Sequence, residues 1–92
     1  MIKTLLHRGL QAFYESGSKA GIQPHHAQRL GRQLTRLDLA RAATDMNVPG
    51  WKLHLLTGDL AGHYSLTVSG NWRLTFKFED EDVILVDYQD YH

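Results

Sequence analysis

The chain closes on Asp90, Tyr91 and His92, which follow an apolar run at 83–86 and then Asp87, Tyr88 and Gln89. A plain sheet edge gains little from a carboxylate, a phenol and an imidazole in a row, whereas an acid–base site uses all three. Further back, Lys52 and His54 alternate with Trp51, Leu53 and Leu55. Arg73, Thr75 and Lys77 alternate with Trp72, Leu74, Phe76 and Phe78. Both are period-two patterns, so Lys52 and His54 share one strand face, and Arg73 and Lys77 share another. Together, His54, Arg73, Lys77, Asp90 and His92 supply what metal-free cleavage of RNA requires. The ribose 2′-hydroxyl attacks the adjacent phosphorus in line while a base removes its proton. An acid protonates the 5′ leaving oxygen, and a cation steadies the phosphoryl charge. Tyr91 can stack on a base or donate a hydrogen bond.

The same residues have plainer uses. A strand histidine such as His54 is more often a surface residue, and a terminal His92 is often a frayed end. Arg73 can cover the Trp72 ring, and Asp87 and Asp90 can deter edge pairing. Chemistry requires that the fold bring three separated segments together. No metal or other cofactor is expected: cysteine is absent, and the spacing of His25, His26, His54, His63 and His92 gives no ligand motif.

The elements that must do the positioning are legible as patterns. Residues 2–6 read as a short first strand. Residues 7–15 read as a helix with Leu10, Phe13 and Tyr14 on one side, broken by Ser16, Gly17, Ser18 and Gly21. A longer helix takes Pro24 in its first turn. Ala27, Leu30, Leu34 and Leu37 form its buried stripe, Arg29, Arg32 and Arg36 its exposed opposite face, and it ends near 41–43. Residues 44–50 make a loop or a single turn. Strands follow at 51–56 and 63–68, then a tight turn at Ser69, Gly70 and Asn71. A strand from Trp72 to Phe78, an acidic turn at 79–82 and a last strand from Val83 complete the chain. The expected fold class is α+β: a single domain over 1–92, two helices packed on one face of a small antiparallel β-sheet. The other face is curved and partly polar, with Lys52, His54, Arg73, Thr75 and Lys77. Strict alternation puts Asp90 and His92 on the face of Ile84, Val86 and Tyr88, and Tyr91 on the opposite one. The three can act together if the last strand twists, bulges or ends near Gln89, and it is expected to end there.

Ninety-two residues allow one domain with one modest core. The start lacks the long apolar stretch of a signal peptide, and no apolar run is long enough to cross a bilayer. A cytoplasmic protein without a membrane partner is expected. The formal net charge is zero, but residues 1–54 hold eight of the ten Lys and Arg against three acids, and residues 55–92 hold seven acids and two bases. The asymmetry suits a basic face for a polyanion or an acidic partner. The neutral sum argues against strong non-specific nucleic-acid binding.

Read in order, several pieces resemble the HigB-type toxins of the RelE superfamily, ribosome-dependent mRNA interferases of bacterial toxin–antitoxin pairs. They are Trp51-Lys52-Leu53-His54, the turn Leu56-Thr57-Gly58-Asp59 with Gly62, the strand Tyr64-Ser65-Leu66-Thr67-Val68, Asn71-Trp72-Arg73-Leu74-Thr75-Phe76, and Asp90-Tyr91-His92. The resemblance runs the length of the chain. It implies a compact microbial-ribonuclease-like fold and cleavage of mRNA in the ribosomal A site, with catalytic positions at His54, Arg73, Asp90, Tyr91 and His92. Lys52 and Lys77 are the expected substrate-binding cations, and Arg29, Arg32 and Arg36 the expected contacts to rRNA or a partner. Implied partners are a helix-turn-helix antitoxin of the HigA type, the 70S ribosome with its mRNA, and operator DNA through the antitoxin alone. Relatives are often strongly basic, and some carry Lys where Thr57 stands here. Two other readings use the same scaffold: a non-enzymatic gyrase poison of the ParE type, and an inactive antitoxin-binding co-repressor module.

Overall fold

The computed structural model describes residues 1–91. Helix α1 spans Arg8–Ser16. His7 caps its start: its Nδ1 accepts the Leu10 amide at 3.0 Å. Gly17, at φ +79°, ends it with its amide on the Phe13 carbonyl, a left-handed turn that a side chain would strain. The chain then doubles back against α1. A Cβ on Gly9 would lie 2.1 Å from the Gly21 carbonyl oxygen, so two glycines permit this crossing. It delivers a 3₁₀ turn, Pro24–His26, to the sheet and leads into helix α2, Ala27–Leu39.

All four residues of the expected α2 stripe are buried. The helix ends earlier than its periodicity suggests. The Asp45 carboxylate accepts the Arg41 amide at 2.9 Å and the Ala42 amide at 3.2 Å, and this competes with helix continuation. A second 3₁₀ turn, Ala43–Met46, follows.

The sheet has four strands in the order β1-β2-β3-β4, each antiparallel to its neighbour. They are β1, His54–Leu55; β2, Tyr64–Ser69; β3, Trp72–Glu79; and β4, Asp82–Asp90. The expected strand at 51–56 shrinks to two residues because Lys52 sits at φ +53°, which breaks the extended chain. Leu55, expected inside with Trp51 and Leu53, is exposed. The expected first strand at 2–6 becomes two isolated parallel bridges, Ile2 to Val83 and Leu5 to Val86. Between them β4 bulges: Leu85 lies at φ +55°, and its amide is taken by the Thr4 hydroxyl at 2.8 Å. The extra residue breaks the ladder and flips the alternation. Val83 and Val86 therefore both face the core, and Ile84, paired with Lys77, moves to the outer face.

One core joins the α2 stripe and Leu10 of α1 to Leu66, Val68, Leu74, Phe76, Val83 and Val86 of the sheet. Buried side chains of this size each contribute about 1.5–3 kcal/mol. Asp38 of α2 ties the layers, accepting the Ile2 amide at 2.8 Å and the Tyr14 hydroxyl at 2.9 Å. Gln33, fully buried, donates to the Thr67 carbonyl at 3.0 Å and anchors β2 to α2.

Candidate active site

The sheet's outer face is set by register. His54 pairs with Ser65, Ser65 with Thr75, and Thr75 with Asp87; one row along, Thr67 pairs with Arg73 and Arg73 with Gln89. Directly paired residues share a face, so these two rows line the same surface. Tyr91 lies two residues beyond Gln89, and its amide donates to the Asn71 carbonyl at 2.8 Å. The result is a cleft of about 490 Å³ lined by Lys52, His54, Ser65, Thr67, Arg73 and Tyr91, with Leu53 and Leu56 at its side.

Arg73 is held by its own turn. Its Nη1 donates to the Gly70 carbonyl at 2.6 Å and the Trp72 carbonyl at 3.1 Å. Among the described residues no carboxylate forms an ion pair with it; their one ion pair joins the Met1 amino group to Asp82. The guanidinium is therefore fixed in place and, among the described residues, has no carboxylate partner. Beneath the cleft, Gln89 donates to the Thr75 hydroxyl and to the Asp87 carboxylate, both at 3.1 Å. This satisfies Thr75, which is almost fully buried. Ser65, Thr67 and Gln89 carry no sequence signal of their own, since each reads as an ordinary strand residue until the register is known, whereas alternation had already put Thr75 on the polar face.

The cleft thus gathers Lys52, His54, Arg73 and Tyr91 from three separated stretches of chain. It does not gather Lys77, whose Cε lies instead near Gly62, four residues from Arg73 along β3. Nor does it gather Asp90. β4 ends at Asp90, one residue past Gln89 and so near the expected end, and Asp90 pairs with Trp72, so the register places it on the helix side. Asp90 is exposed there, and its charge adds to the burial that raises the Tyr88 hydroxyl above its usual pKa. His92 lies outside the described residues.

The three arginines of α2 divide. Arg29 is half-buried rather than exposed, and donates to the Gly50 carbonyl at 2.7 Å. Arg36 is exposed but donates to the Asp45 carbonyl at 2.7 Å. Both pin the 45–50 segment to the helix. Arg32 and Arg36 border a larger groove of about 750 Å³ along α2, with Leu39, Val48 and Trp51. Among the described residues no histidine or carboxylate lines that groove, so they give it no groups for acid–base chemistry. Among the described residues, no cluster of three or more His, Cys, Asp or Glu side chains could hold a metal ion. No helix among them is long and apolar enough to cross a membrane.

A feature the sequence did not single out as a pair lies on the helix side. His26 is buried and hydrogen-bonded through Nδ1 to the Tyr88 hydroxyl. Burial, then the neighbouring His25, lowers its pKa and favours the neutral ring.

Comparison with known proteins bears on the family and the fold. The chain is 38% identical to "Endoribonuclease HigB" of Proteus vulgaris over 92 residues, which is all of both chains. It is 35% identical over 85 residues to "Toxin HigB-1" of Vibrio cholerae, covering 90% of this chain and 88% of that one. A crystal structure of a copper-bound mutant toxin from Helicobacter pylori shares the fold, with a TM-score of 0.55 at 15% identity over 98% of this chain and 94% of the other. The family model of the RelE-like HigB toxins of type II toxin–antitoxin systems matches residues 3–92, and the chain belongs to that family.

Proposed function

We propose that this toxin is a metal-independent endoribonuclease that cuts mRNA on the ribosome, in the A site, and so stops translation. The observation that carries the reading is the cleft itself: an imidazole, a guanidinium with no carboxylate partner among the described residues, an ammonium and a phenol meet on one open sheet face. Arg73 binds the phosphoryl oxygens and stabilises the charge that builds in the transition state. His54, the candidate base that lines the cleft, takes the 2′ proton. Asp90 acts from the strand end as an orienting carboxylate, His92 is the general acid, and Tyr91 stacks on or bonds the base. Lys52 draws the mRNA backbone into the cleft, and Lys77 extends that attraction along β3. No step requires a metal. The cleft is open, so the ribosome supplies much of the alignment and free RNA is cut poorly. The antitoxin is of the helix-turn-helix HigA type, and operator DNA is reached only through it. The site of action is the cytoplasm.

Mapping RNA ends in cells expressing the chain tests this. Cuts confined to translated frames, lost in an Asp90→Ala, His92→Ala double variant that still folds, support it. Intact mRNA with damaged DNA indicates gyrase poisoning instead. Intact mRNA and unaffected growth indicate an inactive antitoxin-binding module.

A further inference from the structure

The two strands that carry Arg73 and Gln89 on one face, and lead to Tyr91, carry an aromatic cluster on the other. Trp72 stacks on Tyr88, with ring centroids 4.4 Å apart and planes 26° apart. His26 meets the Trp72 ring edge-on at 5.6 Å and bonds the Tyr88 hydroxyl. His7 meets the Tyr88 ring edge-on at 5.3 Å from the start of α1, and the Gln23 amide also reaches the Tyr88 hydroxyl, at 3.4 Å. The two strand members of this cluster each lie one residue from the outer face: Trp72 precedes Arg73, and Tyr88 precedes Gln89. The Trp72 carbonyl is also one of the two acceptors that hold the Arg73 guanidinium.

This end of the sheet needs such support. The N-terminal segment covers the outer edge of β4 only as far as Val86, where the Leu6 amide donates to its carbonyl. Beyond it, among the described residues, β4 is laddered on one side only, through Gln89 to Arg73 and Asp90 to Trp72. A purely apolar residue at position 26 would fill the space without desolvating an imidazole. A directional hydrogen bond, by contrast, fixes where the Tyr88 ring sits and hence where β4 ends.

We propose that His26 is a positioning residue: its bond to Tyr88 and edge contact with Trp72 hold the paired ends of β3 and β4 so that Arg73 and Tyr91 keep the cleavage geometry. The catalytic part of this rests on the cleavage reading above. The neutral ring makes this bond, and burial keeps it neutral near pH 7. The titratable groups facing it are His25 on its own turn, His7 at the start of α1, Tyr88 on β4, and Asp90 through its field on Tyr88.

The test uses the full chain with His26→Leu, His26→Gln and Tyr88→Phe. Amide exchange of Tyr91, whose N–H is held by Asn71, reads the strand end without any RNA. His26→Leu and Tyr88→Phe should raise it about tenfold, the equivalent of one lost hydrogen bond, while the Leu34 and Leu74 amides of the core stay unchanged. His26→Gln, which keeps a neutral partner for the phenol, should restore slow exchange. With programmed ribosomes, the two damaging variants should lower the saturated cleavage rate about tenfold and leave the half-saturating concentration within about twofold. The parent rate should fall with acid in a component that His26→Gln lacks. Unchanged Tyr91 exchange in His26→Leu overturns the proposal, as does faster exchange with an unchanged saturated rate. A parent that cuts no RNA overturns the cleavage reading and the catalytic part of this proposal with it; the exchange data then still decide whether His26 holds the strand end.

Discussion

Trp72 and Arg73 are neighbours on β3, yet they belong to opposite environments. Trp72 faces the helices, stacked on Tyr88 and touched by His26. Arg73 faces an open polar cleft with His54, Lys52 and Tyr91. The same division separates Tyr88, which is buried, from Gln89, which pairs with Arg73. In a thin sheet the two faces are one pleat apart, so rigidity can be built on one face and chemistry on the other without either element moving. Stability and activity should therefore separate between adjacent residues, and substitutions can show whether they do.

The largest separation is expected at that neighbouring pair. Arg73→Ala should lower the cleavage rate about 10²–10³-fold, the usual loss for a group that stabilises transition-state charge. Its stability should change by less than about 1 kcal/mol. Trp72→Ala should destabilise by about 3 kcal/mol by emptying the stacked site, and would lose activity mainly through unfolding. Denaturant titration beside single-turnover cleavage measures both. Equal stability losses at the two positions would break the comparison.

His54→Ala should cost about 10²-fold in rate, as for a missing general base, with stability held within about 0.5 kcal/mol because His54 is exposed on a two-residue edge strand. A rate within twofold of the parent would remove His54 from the base role and leave Asp90 or the terminus to supply it.

Acid should act on the helix side. The folded-state pKa of His26 is lowered, first by burial and then by His25, below its unfolded value of 6.5. A histidine held neutral in the fold contributes stability that is fully present above the unfolded pKa. That contribution is lost as pH falls from about 6.5 through the lower folded value, because the unfolded chain then binds the extra proton. The parent should thus lose melting temperature below pH 6.5 more steeply than His26→Gln. Parallel curves would show that His26 does not titrate against folding.

The contrast between faces also marks what could be read from sequence. The α2 stripe and the meander were legible because periods of 3.6 and 2 are local signals. The cleft's Arg73 and His54 were legible because their side chains stand out in otherwise apolar strands. The bulge at Leu85 was not, because nothing in Ile84-Leu85-Val86 asks for a positive φ. It is stabilised by Thr4, far away in sequence. From Val86 on, the alternation nonetheless places Tyr91 toward the cleft and Asp90 toward the helices, as strict counting expects. His26 was illegible as a positioning group because its partner lies 62 residues away, and adjacent histidines invite a metal reading first. The early end of α2 was hidden in the same way, since Asp45 captures the amides that would have continued it.

The smallest effect should come from the basic side of α2, whose arginines do not line the cleft. Arg29, Arg32 and Arg36 share a helix face by spacing, but of the three, among the described residues, only Arg32 is both exposed and not bonded to a loop carbonyl. Its charge can therefore serve a partner, whether rRNA or an acidic antitoxin surface, without loosening the fold. Arg32→Gln should weaken ribosome binding in a salt-dependent way and reduce the slope of log affinity against log salt by about one if it meets a single phosphate. The saturated cleavage rate should not move. Arg29→Gln should behave differently: losing the bond to Gly50 frees the segment that leads into Trp51 and Lys52, so a modest fall in the saturated rate should accompany any loss of affinity. Affinity measured across a salt series for the two variants separates a docking charge from a structural one. If Arg32→Gln matches the parent at every salt concentration for both ribosome and antitoxin, this face serves only to keep the helix soluble.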